Sequence, residues 1–231
     1  MRAALATYLN GKKLLLAVAA PAEARAVARG AGAGDIALRE WELIELAPGV
    51  EMVVTGVGKA CAAGGVARVL DVTRHGAAVS VGVAGGYPPR ELGAVVVATA
   101  CVLADEGVVS AQGFQDIAAL GFGPTSEGVS IPVPAALADA LAVPGAVRGP
   151  VATVSTCSGT DALAEELQRR TGAVAEAMEG AAVAVAGSRL GVPVGEVRVV
   201  SNTTGDRARQ VWKLAEALEG LSGVIGSWLS G

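Results

Sequence analysis

A three-layer α/β fold is what this sequence predicts, and three observations carry it. Apolar runs of strand length alternate with Ala-rich stretches of helical length from about residue 14 to the end of the 231-residue chain. The strand-like runs are nearly continuous in Val, Leu and Ala, the pattern of strands covered on both faces. No internal period of repeat length is visible, which sets repeat architectures aside.

Taken in order, residues 1–13 carry little pattern and are expected to form a loose leader. Lys12-Lys13 followed by the apolar residues 14–20 resembles the start of a secretory signal. That run is short, however, and passes directly into Pro21-Ala22-Glu23-Ala24-Arg25, a first helical turn with Pro at its start, so a buried first strand is the preferred reading. The helix should continue to about Arg29. Residues 41–46 and 50–55 read as two short strands joined by Pro48-Gly49, where Pro presets φ and Gly accepts the left-handed position. Gly56-Val57-Gly58-Lys59 then opens a helix to about Arg74, with His75 capping its end.

Residues 77–83 form the next strand, ending at Ala84-Gly85-Gly86, and residues 94–103 another, ending at Asp105-Glu106-Gly107. The stretch 108–131 is polar, glycine-punctuated and aperiodic. A loop of that length in a compact domain is uncommon and suggests a lid or binding loop, although its Phe114 and Phe122 could equally anchor a structural loop. A strand over 149–155, a helix capped by Ser158 or Thr160 and running to about Arg170, and a strand over 173–178 follow. A helix over 180–190, a last strand over 194–201 and a helix from about Gln210 to Trp228 close the chain. No linker divides residues 14–231, which read as a single domain.

Composition narrows the function. Hydrophobic residues make up 52% of the chain and aromatics 3%, so the core is built from Ala, Val and Leu, with 32 glycines permitting close approaches. A net charge of -4 supplies no electrostatic footprint for nucleic acid or an anionic membrane. Cys61, Cys101 and Cys157 lack the spacing of a zinc site or a disulfide framework, and a buried or half-buried thiol is the expectation for Cys157. Gly56-Val57-Gly58-Lys59 lacks the spacing of a Walker A loop, and no complete GxGxxG fingerprint is present.

In α/β sheets ligands bind outside the carboxyl ends of strands. Glu23, Gly56 to Lys59, Ala84 to Gly86, Asp105-Glu106, Ser155 to Gly159, Met178-Glu179 and Ser201-Asn202 all follow a predicted strand. Glu179 is conspicuous, because a carboxylate amid Ala, Val and Gly must be partnered or lose its charge. The N-terminus of a helix supplies one favourable partner.

Together these strand-end motifs resemble the nucleoside phosphorylase and nucleosidase superfamily, near 5′-methylthioadenosine/S-adenosylhomocysteine nucleosidases. The carriers are Pro21-Ala22-Glu23-Ala24, Thr55-Gly56-Val57-Gly58-Lys59, Gly82-Val83-Ala84-Gly85-Gly86, Ala177-Met178-Glu179-Gly180-Ala181-Ala182 and Val197-Arg198-Val199-Val200-Ser201-Asn202. Within it the chain is most similar to the futalosine hydrolases of the alternative menaquinone pathway. Ala104-Asp105-Glu106-Gly107, Gly113-Phe114, Asn202 where methylthioadenosine nucleosidases carry Asp, and the tail Ser201-Asn202-Thr203-Thr204-Gly205-Asp206-Arg207 with Trp212 point there.

The resemblance implies a three-layer αβα sandwich with a central mixed sheet and a cytoplasmic, homo-oligomeric hydrolase that cuts a purine nucleoside without metal or cofactor. It implies that Met178 packs under the ribose, Glu179 binds its hydroxyls and Glu23, otherwise an ordinary first-turn helix residue, activates water. Asn202 would hydrogen-bond a 6-oxopurine, with Ala84, Gly85, Gly86 and Ser201 lining the site. Arg207 or Arg209 is a candidate for the carboxylate of futalosine, with Phe114 in the loop that could close over that end. No Arg/Ser constellation for phosphate stands near Gly56 or Gly85, which favours water as the acceptor. A nucleosidase or phosphorylase for another purine nucleoside, and a nucleoside-binding protein without catalysis, remain the alternatives.

Overall fold

The computed structural model describes residues 1–126 and 128–230; Glu127, inside the aperiodic stretch, and Gly231 lie outside the described residues. The chain opens with α1 (Ala3–Leu9), β1 (Lys13–Val18) and α2 (Pro21–Gly30), followed by β2 (Leu43–Ala47), β3 (Val50–Val54) and α3 (Lys59–Val69). Next come β4 (His75–Gly86), β5 (Val95–Leu103), β6 (Gly107–Ser110), β7 (Gly113–Asp116), β8 (Ser130–Pro132), α4 (Ala135–Leu141) and β9 (Val147–Thr153). The last third holds α5 (Asp161–Thr171), β10 (Ala175–Ala177), α6 (Gly180–Leu190), β11 (Val194–Thr203) and α7 (Leu214–Leu229).

The sheet is mixed and runs in the order β10-β9-β5-β11-β4-β1-β3-β2, with β8 beside β5. Strand β4 lies parallel to β1 and β11, whereas β11 is antiparallel to β5 and β2 to β3. Strand β10 pairs with β9 and also, antiparallel, with the end of β4, through Ala175 to Gly86 and Glu176 to Gly85. Strands β4, β11, β5, β9 and β10 therefore close into a ring, and the motifs Gly85-Gly86, Met178-Glu179 and Ser201-Asn202 meet at its rim. Helices α2 and α7 pack together, as do α3 and α6. Leu14 to Val18 are all buried, as expected of a central strand, and α5 starts where Thr160 Oγ accepts the Leu163 N–H at 3.2 Å.

The elements differ from expectation in four places. Residues 3–9, expected to be loose, form α1 and bury Leu5 and Leu9; Arg2 donates from Nη1 to the Ala142 carbonyl at 2.8 Å. Two buried leucines on a seven-residue helix give little periodic signal. Helix α3 stops at Val69, and His75 begins β4 instead of capping a helix: its Nε2 lies 3.0 Å from Glu51 Oε2 and its Nδ1 accepts the Asp71 N–H. The stretch 108–131 contains the hairpin β6-β7 and the short β8. Helix α7 begins at Leu214, because residues 211–213 hydrogen-bond along β11, with Lys213 N–H donating to the Ser201 carbonyl at 2.7 Å.

Candidate active site

The site is a cleft of about 420 Å³ at the carboxyl ends of the central strands. Its lining includes Glu23, Ala84, Gly85, Met178, Glu179, Ser201 and Asn202, so seven of the ten residues expected there come together. Gly86 lies one step back, paired with Ala175 and Thr203.

Glu23 occupies the third position of α2, from where Oε2 accepts the Ala20 N–H at 3.0 Å. That half of a capping box satisfies a helix-end donor and fixes the side chain. Oε1 turns instead to β4 and accepts the Val83 N–H at 2.8 Å. Burial raises the Glu23 pKa above the ordinary carboxylate value, against the opposing pull of Arg198 and the two backbone donors.

Glu179 is the residue that precedes α6, and it is buried. Its Oε1 accepts the Gly58 N–H at 3.0 Å, which explains what the Gly56-Val57-Gly58 turn is for: a backbone amide reaches across to the carboxylate. Its Oε2 lies 3.5 Å from Arg198 Nη2. The carboxylate therefore has a side-chain partner not named from the sequence, a buried guanidinium facing it. A cation at that distance offsets the desolvation that an isolated carboxylate would suffer.

Arg198 is the functional residue that sequence reasoning missed. It sits in the middle of β11, fully buried, with Nε donating to Glu196 Oε1 at 2.9 Å and Nη2 donating to Ser80 Oγ at 2.8 Å. Burial alone would lower its pKa, but Glu196, Glu179 and Glu23 around it hold the pKa above its ordinary value. Gly82 opens the space between these groups, since a Cβ there would collide with Glu23 Oε1 and lie 2.7 Å from Arg198 Nη1. The available signal was Glu196-Val197-Arg198, two charges one pleat step apart in an otherwise apolar strand.

Asn202, at the end of β11, is oriented by its neighbours. Ser201 Oγ donates to Asn202 Oδ1 at 2.9 Å, and Asn202 Nδ2 donates to the Thr203 carbonyl at 3.0 Å, leaving one amide hydrogen uncommitted. The backbone bridge from Asn202 to Trp212 places the indole over the cleft. Glu176, also in the lining, accepts from Tyr87 Oη at 2.8 Å, from Ser158 N–H at 2.9 Å and from Ser158 Oγ.

Besides Gly86, two expected residues do not reach the lining. Phe114 lies in β7 with the Arg170 guanidinium 3.9 Å from its ring centroid. Arg207 hydrogen-bonds Gln210 and stacks 5.0 Å from the Trp212 ring, one side chain behind the cleft wall. Arg209 is bound to Asp161 and Asp206. Cys157, expected to be buried or half-buried, is exposed at the residue level and lines the cleft; partial desolvation of its thiol by the cleft wall and the charge of Glu176 raise its pKa, which opposes a thiolate nucleophile.

The family model of the phosphorylase superfamily matches residues 37–224. The chain is 40% identical over 222 residues to futalosine hydrolase of Streptomyces coelicolor, covering 92% of this chain and 93% of that protein. The chain belongs to the futalosine hydrolase family. Futalosine hydrolase of Acidothermus cellulolyticus is likewise 40% identical, over 90% of this chain and 87% of that protein. Outside the futalosine hydrolases, the fold is shared with 5′-methylthioadenosine/S-adenosylhomocysteine nucleosidases. The Streptococcus pneumoniae nucleosidase solved with 8-aminoadenine superposes with a TM-score of 0.76 at 20% identity, covering 94% of this chain and 98% of that one. The Helicobacter pylori nucleosidase variant solved with 5′-methylthioadenosine gives 0.72 at 21% identity, covering 95% and 96%. The nucleoside phosphorylase-like mixed sheet expected from the sequence is the fold observed.

Proposed function

We propose that this chain hydrolyses the N-ribosidic bond of futalosine, releasing hypoxanthine and dehypoxanthine futalosine, a step of menaquinone biosynthesis. The observation that carries the chemistry is the pair of buried carboxylates, Glu23 and Glu179, that line one cleft with the buried guanidinium of Arg198 behind them. Cleavage of such a bond passes through an oxocarbenium-like sugar while negative charge develops on the departing purine. Glu179 binds the ribose hydroxyls, with Met178 packed beneath the sugar. Glu23, whose raised pKa makes it a better base, takes a proton from the attacking water. That water forms the new C1′–O bond as the C1′–N9 bond breaks, and the purine leaves with the electron pair and is protonated.

Asn202 serves the leaving group. With its Oδ1 engaged by Ser201, the amide presents an N–H, which suits the N7 and O6 acceptors of hypoxanthine. Ala84, Gly85 and Ser201 shape the base pocket, with Gly86 backing it from the sheet. Arg207, behind Trp212, answers the carboxylate at the far end of futalosine, with Phe114 of the β6-β7 hairpin as the candidate to close over that end.

Among the described residues no Lys or Arg lines the cleft, and Arg198 behind it is already engaged by Glu196, Ser80 and Glu179, so a phosphate dianion beside Glu23 and Glu179 would meet two carboxylates and no unpaired cation at the cleft surface. This supports water over phosphate. The same domain, 14–231 with α1 docked on it, is proposed to act as a cytoplasmic homo-oligomer. Among the described residues no helix is long and apolar enough to cross a membrane, and exposed Val57, Val211 and Leu214 near the cleft offer an apolar contact surface. Incubation with futalosine, methylthioadenosine, S-adenosylhomocysteine and inosine tests the reading. Hypoxanthine released from futalosine in clear preference supports it, and adenine released from the sulfur nucleosides in preference overturns it.

A further inference from the structure

Glu196 is a fully buried carboxylate that the proposed reaction does not use. It projects from β11 next to Arg198 on the same face, and one oxygen accepts the Arg198 Nε–H at 2.9 Å. Its other polar neighbour is the buried thiol of Cys101 in β5, a weak donor to the same carboxylate. Three carboxylates, Glu23, Glu179 and Glu196, therefore surround one guanidinium, although neutralising Arg198 requires only one. A third buried carboxylate is costly unless it fixes something.

We infer that Glu196 is a positioning residue, which grips the Nε edge of Arg198 so that the guanidinium cannot close on Glu179 and engage both of its oxygens. The geometry has this form. With Nε held by Glu196 and Nη2 by Ser80, Arg198 stands 3.5 Å from Glu179, leaving that carboxylate free to take ribose hydroxyls. A guanidinium released from Glu196 would be drawn into a fork-to-fork pair with Glu179, the strongest geometry open to it. Ser80 and Glu196 are register partners on β4 and β11, so both restraints come from one rung of the sheet.

The sequence Met178-Glu179-Gly180 carries the imprint of the same device. A Cβ at residue 180 would collide with the Glu196 carboxylate, so a side chain there and the carboxylate at 196 exclude each other. The residue after the ribose-binding Glu179 is thus tied to the residue that sets Arg198.

This inference rests on the proposed reading of the site, and the test separates the two. Release of hypoxanthine from futalosine is measured for the wild type, Glu196→Ala and Glu196→Gln, with thermal unfolding in parallel. The expectation is that Glu196→Ala lowers kcat about tenfold or more while KM changes by less than about threefold, because an interaction with the guanidinium and not with the substrate is lost. Glu196→Gln, which keeps an acceptor for the Nε–H, should return kcat to within about fivefold of the wild type, whatever its melting temperature. An unchanged kcat in folded Glu196→Ala protein overturns the inference, as does a loss of activity that merely follows the folded fraction. Should Glu196→Ala not fold, Gly180→Ala displaces the same carboxylate from the opposite side. Its kcat is expected to fall about tenfold in folded protein, and wild-type kcat there overturns the inference. A wild type that releases no hypoxanthine removes the reading and the inference with it.

Discussion

Glu179 is held between a backbone amide and a buried cation: Gly58 N–H donates to one oxygen at 3.0 Å, and Arg198 Nη2 lies 3.5 Å from the other. Turn, strand end and central strand thereby meet at one carboxylate. The N-terminal end of α6 adds its dipole to the same charge. The amide and the cation offset the desolvation of the carboxylate, while its outer lone pairs stay open toward the cleft.

Neutralising that carboxylate should separate function from folding. Glu179→Gln keeps an oxygen for the Gly58 N–H but loses the charge opposite the developing oxocarbenium ion. A fall in kcat of about 10²–10³ is expected, with a melting temperature close to that of the wild type. Steady-state kinetics and thermal unfolding of the variant provide the check.

The acid limb of kcat/KM belongs to Glu23 on this account. A general base works only when ionised, and burial raises its pKa above the ordinary 4.5. Activity should therefore begin to fall, as pH decreases, above the usual carboxylate range. Glu23→Gln should remove about 10²–10⁴ of the rate along with this limb, as a pH–rate profile would show.

At the base end, Asn202→Ala deletes the N–H offered to the purine. About 10²-fold or more in kcat on futalosine should be lost, as when a single preorganised donor is removed from a developing anion. Folding should suffer less, because the hydrogen bonds lost are those to Ser201 and Thr203 at a strand end. Near-wild-type kinetics would exclude the role.

Far from the cleft, Glu51 offers a control. Burial pushes its pKa up, but hydrogen bonds from Lys13, His75 and Arg74 outweigh this and hold it below 4.5. A carboxylate depressed in the folded state stabilises the protein above its unfolded pKa, and that contribution fades as pH falls through the folded value. Glu51→Gln should lower the melting temperature near neutral pH, by an amount that shrinks below about pH 4, while kcat stays unchanged. Melting curves across that range test it.

Much of this was legible in the sequence because chemistry at strand ends leaves residues that an apolar chain does not otherwise need. Glu23, Glu179 and Asn202 each interrupt such a pattern, and the structure brings all three to one cleft. Arg198 escaped notice because its role depends on three carboxylates from different elements, and side-chain convergence has no signature in spacing along the chain. For Phe114 the sequence left a ligand contact and a structural anchor equally open, because an aromatic in a polar loop serves either, and the packing partner found here, Arg170, lies far along the chain. Helix α1 was lost because its two leucines pack against elements far along the chain, a tertiary gain invisible to local periodicity. Likewise, the closing of β10 onto β4 is a long-range pairing that needs the whole sheet.

The central claim is that two carboxylates direct water, not phosphate, to the anomeric carbon of a hypoxanthine nucleoside. The most direct measurement is the mass of the sugar product formed from futalosine in saturating phosphate. The account predicts free dehypoxanthine futalosine, formed at the rate seen without phosphate, whereas a sugar 1-phosphate, or cleavage that requires phosphate, would contradict it.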